Sequence, residues 1–174
     1  VHNNGEVIGN PYTINTGSND SQEKILARIF LSIDEAMNGA GLLRHEVQGI
    51  GIGSTGPVDM KNGNILECPQ LPTMHNFPLK DVVESQFNIP VFLNNDANCL
   101  ILGESYFGVG KGHKIILGFT LGTGLGCGIV FNKKTFLGAT QTAGEIWSSP
   151  YFNKTIEDSV SGIGVSKTYQ KFTG

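Results

Sequence analysis

The chain has 174 residues, is 39% hydrophobic and 16% charged, and carries a formal net charge of −3 at pH 7. That length allows one domain or parts of two, and that balance supports a packed core and excludes a disordered chain. Lys and Arg are scattered without a basic stripe, so no nucleic-acid partner is indicated for this chain. No apolar run approaches the roughly 18–20 residues of a membrane span, so no membrane partner is expected. The polar residues 1–5 are unlike a signal peptide. The three cysteines, Cys68, Cys99 and Cys127, form no CxxC pair and are odd in number. They suggest neither a disulfide framework nor a zinc knuckle, and a reducing, cytoplasmic setting is expected.

Residues 1–8 carry a turn signal at Asn4-Gly5 and read as the second half of a hairpin, whose first strand would lie upstream of Val1. Asp20 is the predicted N-cap of a helix, with Glu23 three residues later as in a capping box. Ile25, Leu26, Ile29, Phe30, Ile33, Ala36 and Met37 follow at helical spacing, and Asn38-Gly39 is expected to end that helix. Residues 47–53 read as a buried strand. Pro57 and the Asn62-Gly63 turn break the chain after that strand, and residues 65–66 form a short extended piece. Residues 78–87 are predicted to be a helix with Leu79, Val82, Val83 and Phe87 on one side, stopped by Pro90. A strand at 91–93 ends in Asn94-Asn95-Asp96, and a helix is expected over 97–106. The run GVGKG at 108–112 is a turn and a candidate domain boundary. Residues 115–121 form an apolar strand leading into TLGTGLGCGIV at 120–130, and Asn132-Lys133 turns into a return strand at 135–137. Residues 138–151 read mostly as loop, and 161–172 as a final helix weakened by Gly162 and Gly164. This order, with antiparallel hairpins among the helices, predicts an α/β fold with a mixed sheet.

Four glycines, Gly122, Gly124, Gly126 and Gly128, alternate in the run at 120–130. Glycine weakens a strand, so it needs a reason there. A tight hairpin is one reason. Close approach of bare backbone N–H groups to an anion such as phosphate is the other, and the pattern alone favours neither. GIGSTG at 51–56 matches a dinucleotide fingerprint but runs into Pro57 and turn residues. No helix opens there to receive a pyrophosphate, so that reading is rejected, although these glycines could still wall a site. Asn95-Asp96 lies where a strand gives way to a helix. A carboxylate there can take a proton from a substrate hydroxyl, and the amide can hold neighbouring hydroxyls; an ordinary helix cap fits as well. His2, His45, His75 and His113 have no metal-ligand spacing and no adjacent nucleophile. Trp147 reads as packing or as the wall of a pocket.

Taken in order, five segments resemble the ROK sugar kinases and regulators of the actin-like ATPase superfamily. GIGSTGPVD at 51–59 is similar to the family's GPVD segment, and PVFLNNDAN at 90–98 with LGE at 102–104 to its NDAN…LGE segment. LGTGLGCGIV at 121–130 resembles its second phosphate loop, AGE at 143–145 the start of AGExGH, and Glu157 with Ser161-Gly162 the later ExxxSG. The resemblance implies an actin-like, ribonuclease H-like α/β fold with mixed sheets. Residues 1–112 would form an N-terminal domain without its first strand and DxGGT phosphate loop, and residues 113–174 would begin a second domain. Asp96 would be the base that deprotonates a sugar hydroxyl, usually the 6-OH of a hexose or N-acetylhexosamine. Asn95, Glu145, Glu157 and Gly56 would hold the sugar, and Gly122, Thr123 and Gly124 would approach the transferred phosphate of ATP, with Mg²⁺ as the usual companion. The sequence departs from the family at Ile146-Trp147-Ser148, where Ser148 stands in place of the signature His. The cysteines of the family's structural zinc site are also missing, so no zinc is expected. A homodimer is compatible with the resemblance. The expectation is a sugar kinase, inactive on these residues alone; the alternatives are a sugar-sensing regulator of the same family or another actin-like phosphotransferase.

Overall fold

A computed structural model describes Val1–Gly174 as two compact units, Val1–Asp96 and Ala97–Gly174. In the first unit, Asn4-Gly5 makes the expected turn, closed by the Glu6 carbonyl accepting from His2 N–H at 2.9 Å, but no strand forms on either side. Helix α1 spans Gln22–Ala40, and its cap is Ser21 rather than Asp20. Asp20 is drawn away by Arg28, whose guanidinium sits 2.6 Å from its carboxylate and holds that carboxyl below its usual range. The helix also runs through Asn38-Gly39. It stops at Gly41, whose φ of 67° an L side chain resists, with Leu42 N–H bonding back to the Met37 carbonyl at 3.0 Å.

A 3₁₀ turn at Arg44–Glu46 delays the first strand, so β1 is Ile50–Ser54. A short hairpin follows, β2 (Val58–Asp59) with β3 (Asn64–Ile65). Asp59 closes its turn, accepting the Lys61 and Asn62 N–H groups at 3.0 and 3.2 Å. Helix α2 (Leu79–Phe87) ends on left-handed Asn88 ahead of Pro90, and β4 (Val91–Asn95) pairs with β1 in parallel from Ile50↔Val91 to Ser54↔Asn95. Ile25, Ile65, Met74, Leu79, Val83, Phe87 and Val91 form the core, with Phe30 edge-on to Phe87 at 5.8 Å. The Glu84 carboxylate accepts Val91 N–H at 2.8 Å and ties α2 to the start of β4.

Helix α3 (Asp96–Tyr106) leads into the second unit. Strands β5 (Ile115–Leu121) and β6 (Leu125–Phe131) form an antiparallel hairpin, and β7 (Lys134–Thr135) adds to β6 through Asn132-Lys133, both at positive φ. One face of the hairpin is stripped of side chains to admit α3. A Cβ on Gly118 or Gly128 would press into Ile101, and one on Gly126 would meet Ala97 at 2.8 Å. That packing makes α3 part of the second compact unit, Ala97–Gly174. Residues 138–151, read as loop, end in a small hairpin, β8 (Pro150–Tyr151) with β9 (Lys154–Thr155), turned by Phe152 at φ 52°. Helices α4 (Glu157–Val160) and α5 (Gly162–Thr173) finish the chain, with Ser161 capping α5 through Gly164 N–H at 3.1 Å. No helix is long and apolar enough to cross a membrane.

Candidate active site

The first unit places one group of predicted residues at the carboxyl ends of its two parallel strands, where ligands of such sheets bind. Ser54 and Asn95 are register partners there, and Asp96 follows as the first residue of α3, exposed. Its carboxylate thus lies in the first turn of that helix. Gly56 approaches the same corner: a Cβ on it would lie 2.9 Å from Asn95 Nδ2, so only glycine leaves that amide its place. The Gly56-Pro57 peptide is cis. β1 leads into this bend and then into β2, with no helix at its end, in keeping with rejection of a dinucleotide fold. A separate cavity of about 680 Å³, lined by Ser54, Thr55, Gln70, Ile25, Ile52 and Met74 among others, includes none of Gly56, Asn95 or Asp96.

The second unit gathers the remaining predicted residues around the tip of the β5–β6 hairpin. The Leu121↔Leu125 pair is continued by Gly122 N–H donating to the Gly124 carbonyl at 3.0 Å, so Thr123 alone forms the apex. Two anchors fix this tip. The Gly122 carbonyl accepts Gly162 N–H at 2.7 Å, from the start of α5, and Leu125 N–H donates to Glu157 Oε2 at 2.8 Å. A Cβ on Gly124 would sit 2.6 Å from that same carboxylate oxygen. Gly126 and Gly128 serve α3. Of the four alternating glycines, only Gly122 would place a Cβ in open space, with nothing within 4 Å.

Glu145 stands beside this hairpin. Gly144, at φ 94°, comes so close that a Cβ on it would be 2.5 Å from the Cys127 carbonyl. Burial of Cys127, and secondarily the Glu145 charge, push its thiol above the usual thiol range, so it stays protonated. Glu145 Oε2 accepts the indole N–H of Trp147 at 2.7 Å, and the Trp147 carbonyl accepts Glu157 N–H at 3.3 Å. Glu145, Trp147, Glu157 and Leu125 are thus linked in one chain of hydrogen bonds running from a loop to the hairpin tip. The sequence marks the two glutamates but gives Trp147 no polar role. The indole N–H was the available signal, because a donor two residues from a carboxylate can fold back on it.

Four of the five motifs, those up to Glu145, lie in a segment shared with known proteins. The ROK family matches residues 4–147. The chain belongs to the ROK family. A putative xylose repressor of Caldicellulosiruptor sp. (strain Rt8B.4) is 39% identical over 127 residues, covering 73% of this chain and 32% of the relative. The glucokinase of Thermotoga maritima is 38% identical over 130 residues, covering 75% of this chain and 39% of the relative. A ROK family glucokinase from Streptomyces griseus, solved in complex with glucose and AMPPNP, superposes with a TM-score of 0.82 at 28% identity, covering 98% of this chain and 55% of that one. The chain therefore spans well under half the length of these curated relatives and about half of that solved structure. Its α/β fold is that of the ROK sugar kinases, the actin-like ATPase fold expected from the motifs.

Proposed function

We propose that this ROK polypeptide belongs to an ATP-dependent kinase that phosphorylates a hydroxyl, most simply the 6-OH, of a hexose or N-acetylhexosamine. Phosphoryl transfer asks for positioning and charge neutralisation more than covalent chemistry. Asp96 takes the proton of the attacking hydroxyl. Asn95, with Gly56 clearing its space, and the carboxylates of Glu145 and Glu157 hold the other hydroxyls, whose directional needs suit amides and carboxylates. Gly122, Thr123 and Gly124 offer exposed backbone at the hairpin tip to the phosphates of ATP. The observation that carries this reading is Gly122, which no contact within the chain obliges to be glycine. Close approach of a ligand to the backbone supplies the missing reason.

Magnesium neutralises phosphate charge in such reactions, usually on one or two carboxylates plus the phosphates themselves. No cluster of His, Cys, Asp and Glu able to hold a metal ion is formed here, and one oxygen of Glu157 already accepts Leu125 N–H. These residues fit a magnesium ion carried in with the nucleotide better than a cage of the chain's own. We assign no zinc, with Ser148 in the position of the signature His. A panel of hexoses, hexosamines and pentoses, incubated with ATP and the full-length protein, tests the reading: sugar-dependent ADP formation supports it, and none with any sugar removes it.

A second reading is a sugar-sensing regulator, favoured by the 39% identity to the putative xylose repressor, beside 38% to the glucokinase. That reading predicts sugar binding without ADP formation.

A further inference from the structure

Trp147 joins the two glutamates assigned to the acceptor. Its indole N–H donates to Glu145 Oε2 at 2.7 Å, and its backbone carbonyl accepts Glu157 N–H at 3.3 Å. A carboxylate on an exposed loop samples several rotamers, and fixing one costs conformational entropy when a ligand binds. The indole fixes it beforehand and engages Oε2, so Oε1 is the oxygen left to accept a ligand hydroxyl. Trp147 is 45% exposed, with the Glu145 carboxylate held on its indole N–H. An apolar plate bordered by a few polar acceptors is the surface a pyranose matches, with its apolar C–H face and its rim of hydroxyls.

We infer that Trp147 is a positioning and specificity-determining residue for the sugar: it orients Glu145 through the indole N–H and presents its ring to the apolar face of a pyranose. The inference rests on the reading that Glu145 holds the sugar, and the test separates the two. The chain has a single tryptophan, so the part of the emission lost in Trp147→Phe reports on this site. Calorimetric and emission titrations of the full-length protein with D-glucose, N-acetyl-D-glucosamine and D-xylose supply the readout. The inference expects at least one of these sugars to shift the emission of the wild type at the concentrations where heat is released. Trp147→Phe, which keeps a ring but has no donor, should bind that sugar about tenfold more weakly, the loss of one hydrogen bond to a charged group. Trp147→His, which restores a ring donor, should recover part of that loss. Glu145→Ala should bind weakly, and adding Trp147→Phe to it should cost nothing more. Where turnover is measured, Trp147→Phe should raise KM for the sugar and leave kcat unchanged. If Trp147→Phe binds like the wild type while Glu145→Ala does not, Glu145 keeps its role and Trp147 loses the one inferred. If Glu145→Ala also binds like the wild type, or no sugar produces heat or an emission change, the underlying reading falls and the inference with it.

Discussion

The two glycines flanking Thr123 look alike in sequence and have different reasons to be there. Gly124 leaves room for the Glu157 carboxylate, whereas Gly122 faces open space. Gly122→Ala should therefore leave thermal stability unchanged and depress ATP-dependent turnover, whereas Gly124→Ala should lower the melting temperature as well; paired melts and rate assays separate them. Cys127 yields a pH dependence. Its thiol is raised in the folded chain, so the unfolded chain deprotonates first as pH increases. The stability it contributes is complete below the ordinary thiol value of 9.0 and is lost as pH climbs from there through the folded value. Stability of the wild type to urea should fall as pH rises above 9.0, and Cys127→Ala should flatten that decline. The alternation of glycine was legible in the sequence. That Gly126 and Gly128 serve a helix was not, because Ala97 and Ile101 are remote in sequence and propensity is a local quantity.

At the scale of elements, the hairpin tip depends on Glu157. Its bond to Leu125 N–H, half-buried, is charge-assisted and worth about 1.5–3 kcal/mol. Glu157→Ala should free the tip, which amide hydrogen exchange at Leu125 would register as lost protection, while Glu157→Gln, still an acceptor, should keep most of it. The sequence marked Glu157 for sugar contact; the fold adds a structural duty to the same carboxylate. Element ends were the least legible feature. Asp20 and Asn38-Gly39 are sound local signals, overridden by Arg28 and by the left-handed Gly41. The parallel pairing of β1 with β4 was invisible in the sequence, since it joins Ile50 to Val91 across α2, yet it is what aligns Ser54 with Asn95.

At the scale of the molecule, the order of five short motifs was the most legible signal, and it led to the ROK family to which the chain belongs. The fold also leaves one face of β5 bare: Ile115, Leu117, Phe119 and Leu121 are each more than half exposed. Patches of that kind bind hydrophobic dyes and promote association. The 174-residue chain should enhance anilinonaphthalene sulfonate emission, and Leu117→Thr with Phe119→Thr should reduce the signal without unfolding the hairpin, whose other face carries the packing on α3. The central claim is that Asp96 deprotonates a sugar hydroxyl for attack on ATP. Its most direct test is phosphate transfer from ATP to the sugar that binds best, measured beside calorimetric sugar affinity for the full-length protein and its Asp96→Asn variant. We expect the variant to bind the sugar as the wild type does and to transfer phosphate about 10²–10⁴-fold more slowly. Transfer at the wild-type rate would contradict the role of Asp96.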